Sequence, residues 1–177
     1  MIDPDVPVPQ WRLRDDGRRR VEALANAPWV AGLERIITSA ETKAIETGEI
    51  LAAAAGVDIE IRSATDEIDR SSTGYLPHDE HDAQADRLFA APRASANGWE
   101  RAIDAQARMV AALDDVLIGD DEVAVVGHGG VGTLLWCHLA GVDIARRHDQ
   151  SFGGHVYAFD LVTRIVDGPW RPFEDAD

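Results

Sequence analysis

Short valine- and isoleucine-rich stretches alternating with helical patterns predict an α/β fold on a mostly parallel sheet, and three stretches of this chain carry that prediction. The clearest is EVAVVGHGGVGTLLWCHLAG over 122–141. Residues 122–126 are a nearly continuous apolar run of the kind that forms a strand buried on both faces. Gly127, Gly129 and Gly130 then surround His128, and Leu134, Leu135 and Leu139 follow at helical spacing until Gly141 offers a left-handed cap. The second stretch is the strand-like 33–37, ended by Thr38 and Ser39 ahead of a helix over 41–55 that Gly56 closes. The third is VDIEI at 57–61, whose alternating acids place it at or near a sheet edge.

His128 therefore stands at the carboxyl end of a strand and the start of a helix. Open α/β sheets bind ligands at that edge, and free N–H groups there favour an anion, most often a phosphate. Two plainer readings compete. GHGGVG over 127–132 also fits the dinucleotide pattern G-x-G-x-x-G, which expects an acid about 20 positions on, at the end of the next strand. The next strand-like run ends at Asp160, which is too far away. The other reading makes His128 a hydrogen-bonded structural histidine in a glycine turn. Lys43, in the first turn of the 41–55 helix, can reach the same edge and hold a phosphoryl oxygen, whereas a solvated helix lysine is its plainer role.

The other elements follow in chain order. MIDPDVPVPQ holds three prolines and reads as a loop. Residues 18–27 make an amphipathic helix with Val21, Leu24 and Ala25 on one side; its arginines read as a solvated face rather than a phosphate patch. A long polar connection, 62–97, carries Asp66, Glu67, Asp69, His78, Asp79, Glu80, His81 and Asp82, with a short helix expected over 82–90. His78 and His81 match no tight metal template, and no metal is expected. Asn97-Gly-Trp-Glu100 reads as a capping box opening a helix over 99–117. A last strand is expected over 156–162, and an irregular tail from Pro169.

Composition narrows the partners. With 177 residues, 45% hydrophobic and 28% charged, the chain has the make-up of one globular domain with one large core. A formal net charge of -15 disfavours nucleic acid and anionic membranes, so a phosphate site must be locally basic. No apolar run is long enough for a membrane span and no signal-peptide pattern opens the chain, so a soluble, cytoplasmic protein is expected. Cys137, the lone cysteine, lies among apolar residues and reads as packing. Lys43 is the lone lysine. The indoles of Trp11, Trp29 and Trp170 suit a homodimer surface as well as core packing.

Taken together, Ser39-x-x-x-Lys43-Ala44-x-x-Thr47, an acid-bearing connection, a helix with Arg108 and then Val-Val-Gly-His128-Gly-Gly resemble the histidine phosphatase superfamily, the phosphoglycerate-mutase-like proteins. The resemblance covers roughly Trp11 to Arg171. In that family the serine-rich segment usually reads S-x-x-x-R-A-x-x-T. Lys43 takes the arginine's place, and DEIDRSSTGYLP and NGWERAIDAQAR look like a bacterial branch where that lysine is usual. The resemblance implies a single domain over 1–177, a three-layer α/β/α sandwich with a cap-like insertion at about 62–97. It also implies phosphoryl transfer from a small phosphorylated substrate through a phosphohistidine, without a cofactor. By matching motif, His128 and Gly129 bind the phosphoryl oxygens, Lys43 supplies positive charge, and Glu67 is the general acid ahead of Asp66 and Asp69. Phosphatase is favoured over mutase because no segment stands out as a lid that would exclude water.

One departure is large. The family's first strand ends in Arg-His, supplying the nucleophilic histidine and a phosphate-binding arginine, and no such pair precedes Trp11, Leu13 and Gly17, which reproduce the family's next motif. The expectation is that Met1 is an internal start and the nucleophile lies upstream; a phospholigand-binding pseudoenzyme, or rescue by His155, are the alternatives. Losing an interior strand should leave the 177-residue chain poorly soluble or partly unfolded.

Overall fold

The structure is a computed structural model and describes residues 6–116, 119 and 121–176. It opens with helix α1, Asp15–Leu24, followed by strand β1, Arg35–Thr38, helix α2, Thr42–Ala55, and strand β2, Ile59–Ile61. Helices α3, His78–Ala90, and α4, Ala102–Val116, lead to strand β3, Val123–Val126, and helix α5, Gly129–Ala140. The short strands β4, His155–Val156, and β5, Arg171–Pro172, complete it. The α/β/α sandwich is the fold that the family resemblance implies.

β2, β1 and β3 form a parallel sheet in that order, with Thr38 paired to Ile61 on one side and to Val126 on the other. All three strands thus end at one edge, where Ser39 and His128 emerge. Alternation along β1 divides the interior, because successive side chains of a strand point to opposite faces. Ile36 packs with Val21, Leu24, Leu51 and Ala52 of α1 and α2, whereas Ile37 packs with Leu88, Leu113, Val131 and Leu134 of α3, α4 and α5. β3 follows the same rule: Ala124 and Val126 join the first cluster, Val123 and Val125 the second. α2 lies close on β1 because Gly48 has no side chain; a Cβ there would stand 2.3 Å from Cγ2 of buried Thr38.

Among the described residues β3 pairs only with β1. Its four residues touch both cores yet stay partly exposed, so the full burial expected of this run is not reached: its second edge carries no paired strand.

Several ends differ from expectation where polar side chains capture backbone groups. The extended run over 156–162 stops after Val156, because Asp160 Oδ1 accepts the N–H groups of Val162 and Thr163 and folds the chain back, with a single bridge between Phe159 and Val166. The tail is less irregular than expected, since Arg171–Pro172 pairs with His155–Val156. The capping box does not form: Asn97 has φ 49, the helix begins at Ala102, and the Glu100 carboxylate goes to Arg108 instead. Leu117, its expected end, lies outside the described residues, as do residues 1–5. α1 starts earlier than expected, with Asp15 and Asp16 favourably placed in its first turn, and α3 starts earlier, directly after Pro77. No helix among the described residues is long and apolar enough to cross a membrane. The three indoles all have partners within the chain: Trp11 bonds Val6 O, Trp29 bonds Ala176 O and Trp170 bonds Thr133 Oγ1.

Candidate active site

The site is assembled at the carboxyl edge of β1 and β3. β1 delivers Ser39, whose Oγ shares a 2.7 Å hydrogen bond with Nε2 of His128, the residue that links β3 to α5. The imidazole is almost fully enclosed. Burial holds its pKa below the ordinary histidine range, and Lys43 adds to this against the pull of Glu67 and Glu41.

Glu67 meets the same helix from the 62–97 connection. Its Oε2 accepts the N–H of Gly130 at 3.1 Å, and its Oε1 accepts those of Val131 and Ile68 at 3.0 Å each. Gly130 makes this approach possible, since a Cβ there would stand 2.6 Å from Glu67 Oε1. Burial alone would push the Glu67 carboxyl up, but attraction to His128 and Arg70 and the N–H bonds from Ile68 and Val131 outweigh it and hold the pKa below the ordinary glutamate range. Glu67 is therefore an ionised acceptor here, seated where a helix start favours an anion.

Glu41 is the residue that sequence reasoning missed. It is buried, its Oε1 accepts the N–H of Glu67 at 3.2 Å and lies 3.6 Å from His128 Nε2, and its Oε2 pairs with Lys43 Nζ at 3.0 Å. The available signal was an acid two positions before the lone lysine. The charge of Lys43 is thus shared with a neighbouring acid. Gly129 packs against Gln150, whose Nε2 would stand 2.2 Å from a Cβ at that position.

The lesser candidates have other partners. Asp66 Oδ1 accepts the N–H of Ala40 and ties the connection to the segment after β1, while Asp69 Oδ1 accepts that of Ser71 and shapes a local turn. His81 lies against Arg70, which also stands over the ring of Trp99, while exposed His78 faces Asp82. Among the described residues no group of three or more His, Cys, Asp or Glu side chains could hold a metal ion. His155 sits in β4 against Phe152.

A parallel sheet with a buried histidine at its carboxyl edge, layered between helices on both faces, is the architecture of phosphoglycerate-mutase-like proteins. The profile of the histidine phosphatase superfamily, branch 1, matches residues 4–157, and the chain belongs to that family. Among curated protein sequences nothing matches. Solved structures share the fold. A mycobacterial glucosyl-3-phosphoglycerate phosphatase bound to inorganic phosphate superposes with a TM-score of 0.77 at 17% identity, over 95% of this chain and 91% of that one. A phosphoserine phosphatase from Entamoeba histolytica in complex with 3-phosphoglyceric acid gives 0.71 at 12% identity, over 90% and 84%. YhfR of Bacillus stearothermophilus gives 0.65 at 21% identity, over 92% and 83%.

Proposed function

We propose that this protein is a phosphomonoesterase of the histidine phosphatase type acting on a small phosphorylated metabolite. The observation that carries the reading is the convergence of buried His128, the first amides of α5 and the acid Glu67 at one sheet edge, with Lys43 beside them. The names of the structural neighbours, phosphatases of glucosyl-3-phosphoglycerate and of phosphoserine, support the substrate class.

In this reading the phosphoryl group takes the N–H groups of Gly130 and Val131 that Glu67 now holds, with His128 and Lys43 on its oxygens. The displaced Glu67 loses its donors, takes up a proton and becomes the acid. An attacking imidazole forms an N–P bond as the P–O bond to the leaving group breaks, and Glu67 protonates the departing oxygen. Water then cleaves the N–P bond, giving its proton back to Glu67. We assign the attacking imidazole to a strand that adds to the second edge of β3, and leaving-group recognition to a cap formed by 62–97.

A second reading has support of its own. The three N–H bonds that keep Glu67 ionised suit a protein that binds phosphorylated ligands without turning them over. Calorimetry with inorganic phosphate, paired with turnover of an aryl phosphate, separates the two. Measured on protein isolated from its native source, turnover that is abolished in a folded His128→Ala variant supports the phosphatase, binding without turnover supports the binder, and neither binding nor turnover removes the phosphate site altogether.

A further inference from the structure

Arg108 lies on α4, outside the group of side chains that would meet a phosphoryl oxygen. Its guanidinium is nonetheless the most fully engaged cation near the site. Nε and Nη2 donate to the two oxygens of Glu100 at 3.0 and 2.8 Å, Nη1 donates to the carbonyls of Ala64 and Asp66 at 2.8 and 3.0 Å, and Nη2 also donates to that of Glu67 at 3.4 Å. All five N–H groups that a guanidinium owns are used. Glu100 extends the grip: its Oε2 accepts the N–H of Asp69 at 3.2 Å, and its own N–H donates to Asp69 O at 2.9 Å. Carbonyls at 64, 66 and 67 and both backbone groups at 69 are thus tied to α4 and the residues just before it.

We propose that Arg108, locked by Glu100, is a positioning residue for the catalytic acid: it fixes the 64–69 segment so that the Glu67 carboxylate lies on the first amides of α5. Because no N–H of Arg108 is left over, it does not bind the phosphoryl group itself. Its five-donor fork is what the task requires, since it must engage a carboxylate and three carbonyls at once, which the single nitrogen of lysine cannot do. The inference rests on the reading of Glu67 as the acid and supplies the device that sets its resting place and charge on those amides until a phosphoryl group displaces it.

When the segment loosens, Glu67 loses its N–H donors while remaining buried, so its affinity for a proton rises. The other charged or titratable groups around it are Glu41 after β1, Asp66 and Arg70 on its own segment, His81 of α3, His128 before α5 and Asp149 after it. None of them changes in the variants below. Arg108 itself also acts on Glu67 by charge, so the deciding arm is Glu100→Gln, where loss of a negative charge alone would lower the Glu67 midpoint and only a loosened segment raises it.

The experiment is a carbon-13 NMR titration of the Glu67 carboxyl in the ligand-free 177-residue protein, comparing wild type with Arg108→Met, Arg108→Lys and Glu100→Gln and checking each fold by thermal melting. In Arg108→Met the Glu67 midpoint is expected to rise by about one pH unit or more, a tenfold change in proton affinity. Arg108→Lys should recover part of that shift, and Glu100→Gln should show a smaller rise. A folded Arg108→Met protein whose Glu67 titrates as in wild type overturns the proposal; whether or not that variant folds, an unshifted or lowered Glu67 midpoint in Glu100→Gln overturns it equally. No substrate or turnover enters this measurement. Failure of the phosphate site appears separately, as His128 resonances that do not respond to inorganic phosphate.

Discussion

Glu41 and Glu67 bring two carboxylates to one imidazole, and their other partners assign them different tasks. Glu67 is held by backbone N–H groups, whereas Glu41 is held by Lys43 and restrains it. A cation paired to an acid is a weaker phosphate ligand than a free one, so in the proposed phosphatase reading Glu41 restrains the site. Lys43→Met is expected to weaken binding of inorganic phosphate about tenfold, as suits loss of one charge-assisted contact, while Glu41→Gln strengthens it. Calorimetry on both variants checks the pair, and a Glu41→Gln protein that binds phosphate more weakly would show that Glu41 supports the site rather than restraining it. Lys43 was legible in the sequence because it is the lone lysine; Glu41 was not, because an acid at a helix start already has a sufficient explanation in the helix dipole.

At the scale of elements, α2 and β1 meet through Gly48. Gly48→Ala pushes a methyl into Thr38, which is fully buried between two helical layers and has nowhere to retreat. The expected cost is about 1–3 kcal/mol with the fold retained, read from urea unfolding. Element order was legible from periodicity alone, since the valine run before His128, the alternation at 57–61 and the glycine caps at Gly56 and Gly141 act locally. The misread boundaries share a different cause. Glu100 abandons its helix start for Arg108, and the pairing of β4 with β5 depends on a turn at Asp160 and on a partner some 16 residues away. A local pattern holds no information about such competitors. The same reason hid the site's closure: residues 41, 67 and 128 are brought together only by the packed sheet.

At the scale of the molecule, the chain's end is fastened to its beginning. Arg20 of α1 bonds both oxygens of Glu174, at 2.6 and 2.9 Å, reaches the carbonyls of Gly153 and Gly154, and stands over the rings of Phe152 and Phe173. The hydrogen bonds from Arg20 lower the Glu174 pKa from the usual 4.5 to about 2. The folded state thus releases this proton more readily than the unfolded chain, so the stabilisation is complete above about 4.5 and disappears as pH falls through about 2. The difference in melting temperature between wild type and Glu174→Gln should stay constant above that window and shrink within it; a difference that is flat down to pH 2 would mean that the pair does not hold the end. The second edge of β3 has a consequence in time rather than in energy. Glu34, Arg35 and Ser39 donate to the carbonyls of Glu122 and Val126, so alternate residues of this stretch turn their backbone toward β1. The intervening Val123 and Val125 turn theirs toward the unpaired side. In heavy water the strand should keep two clocks, with Val123 and Val125 taking up deuterium early and Ala124 and Val126 late. A strand arriving on that edge would stop the fast clock and leave the slow one running.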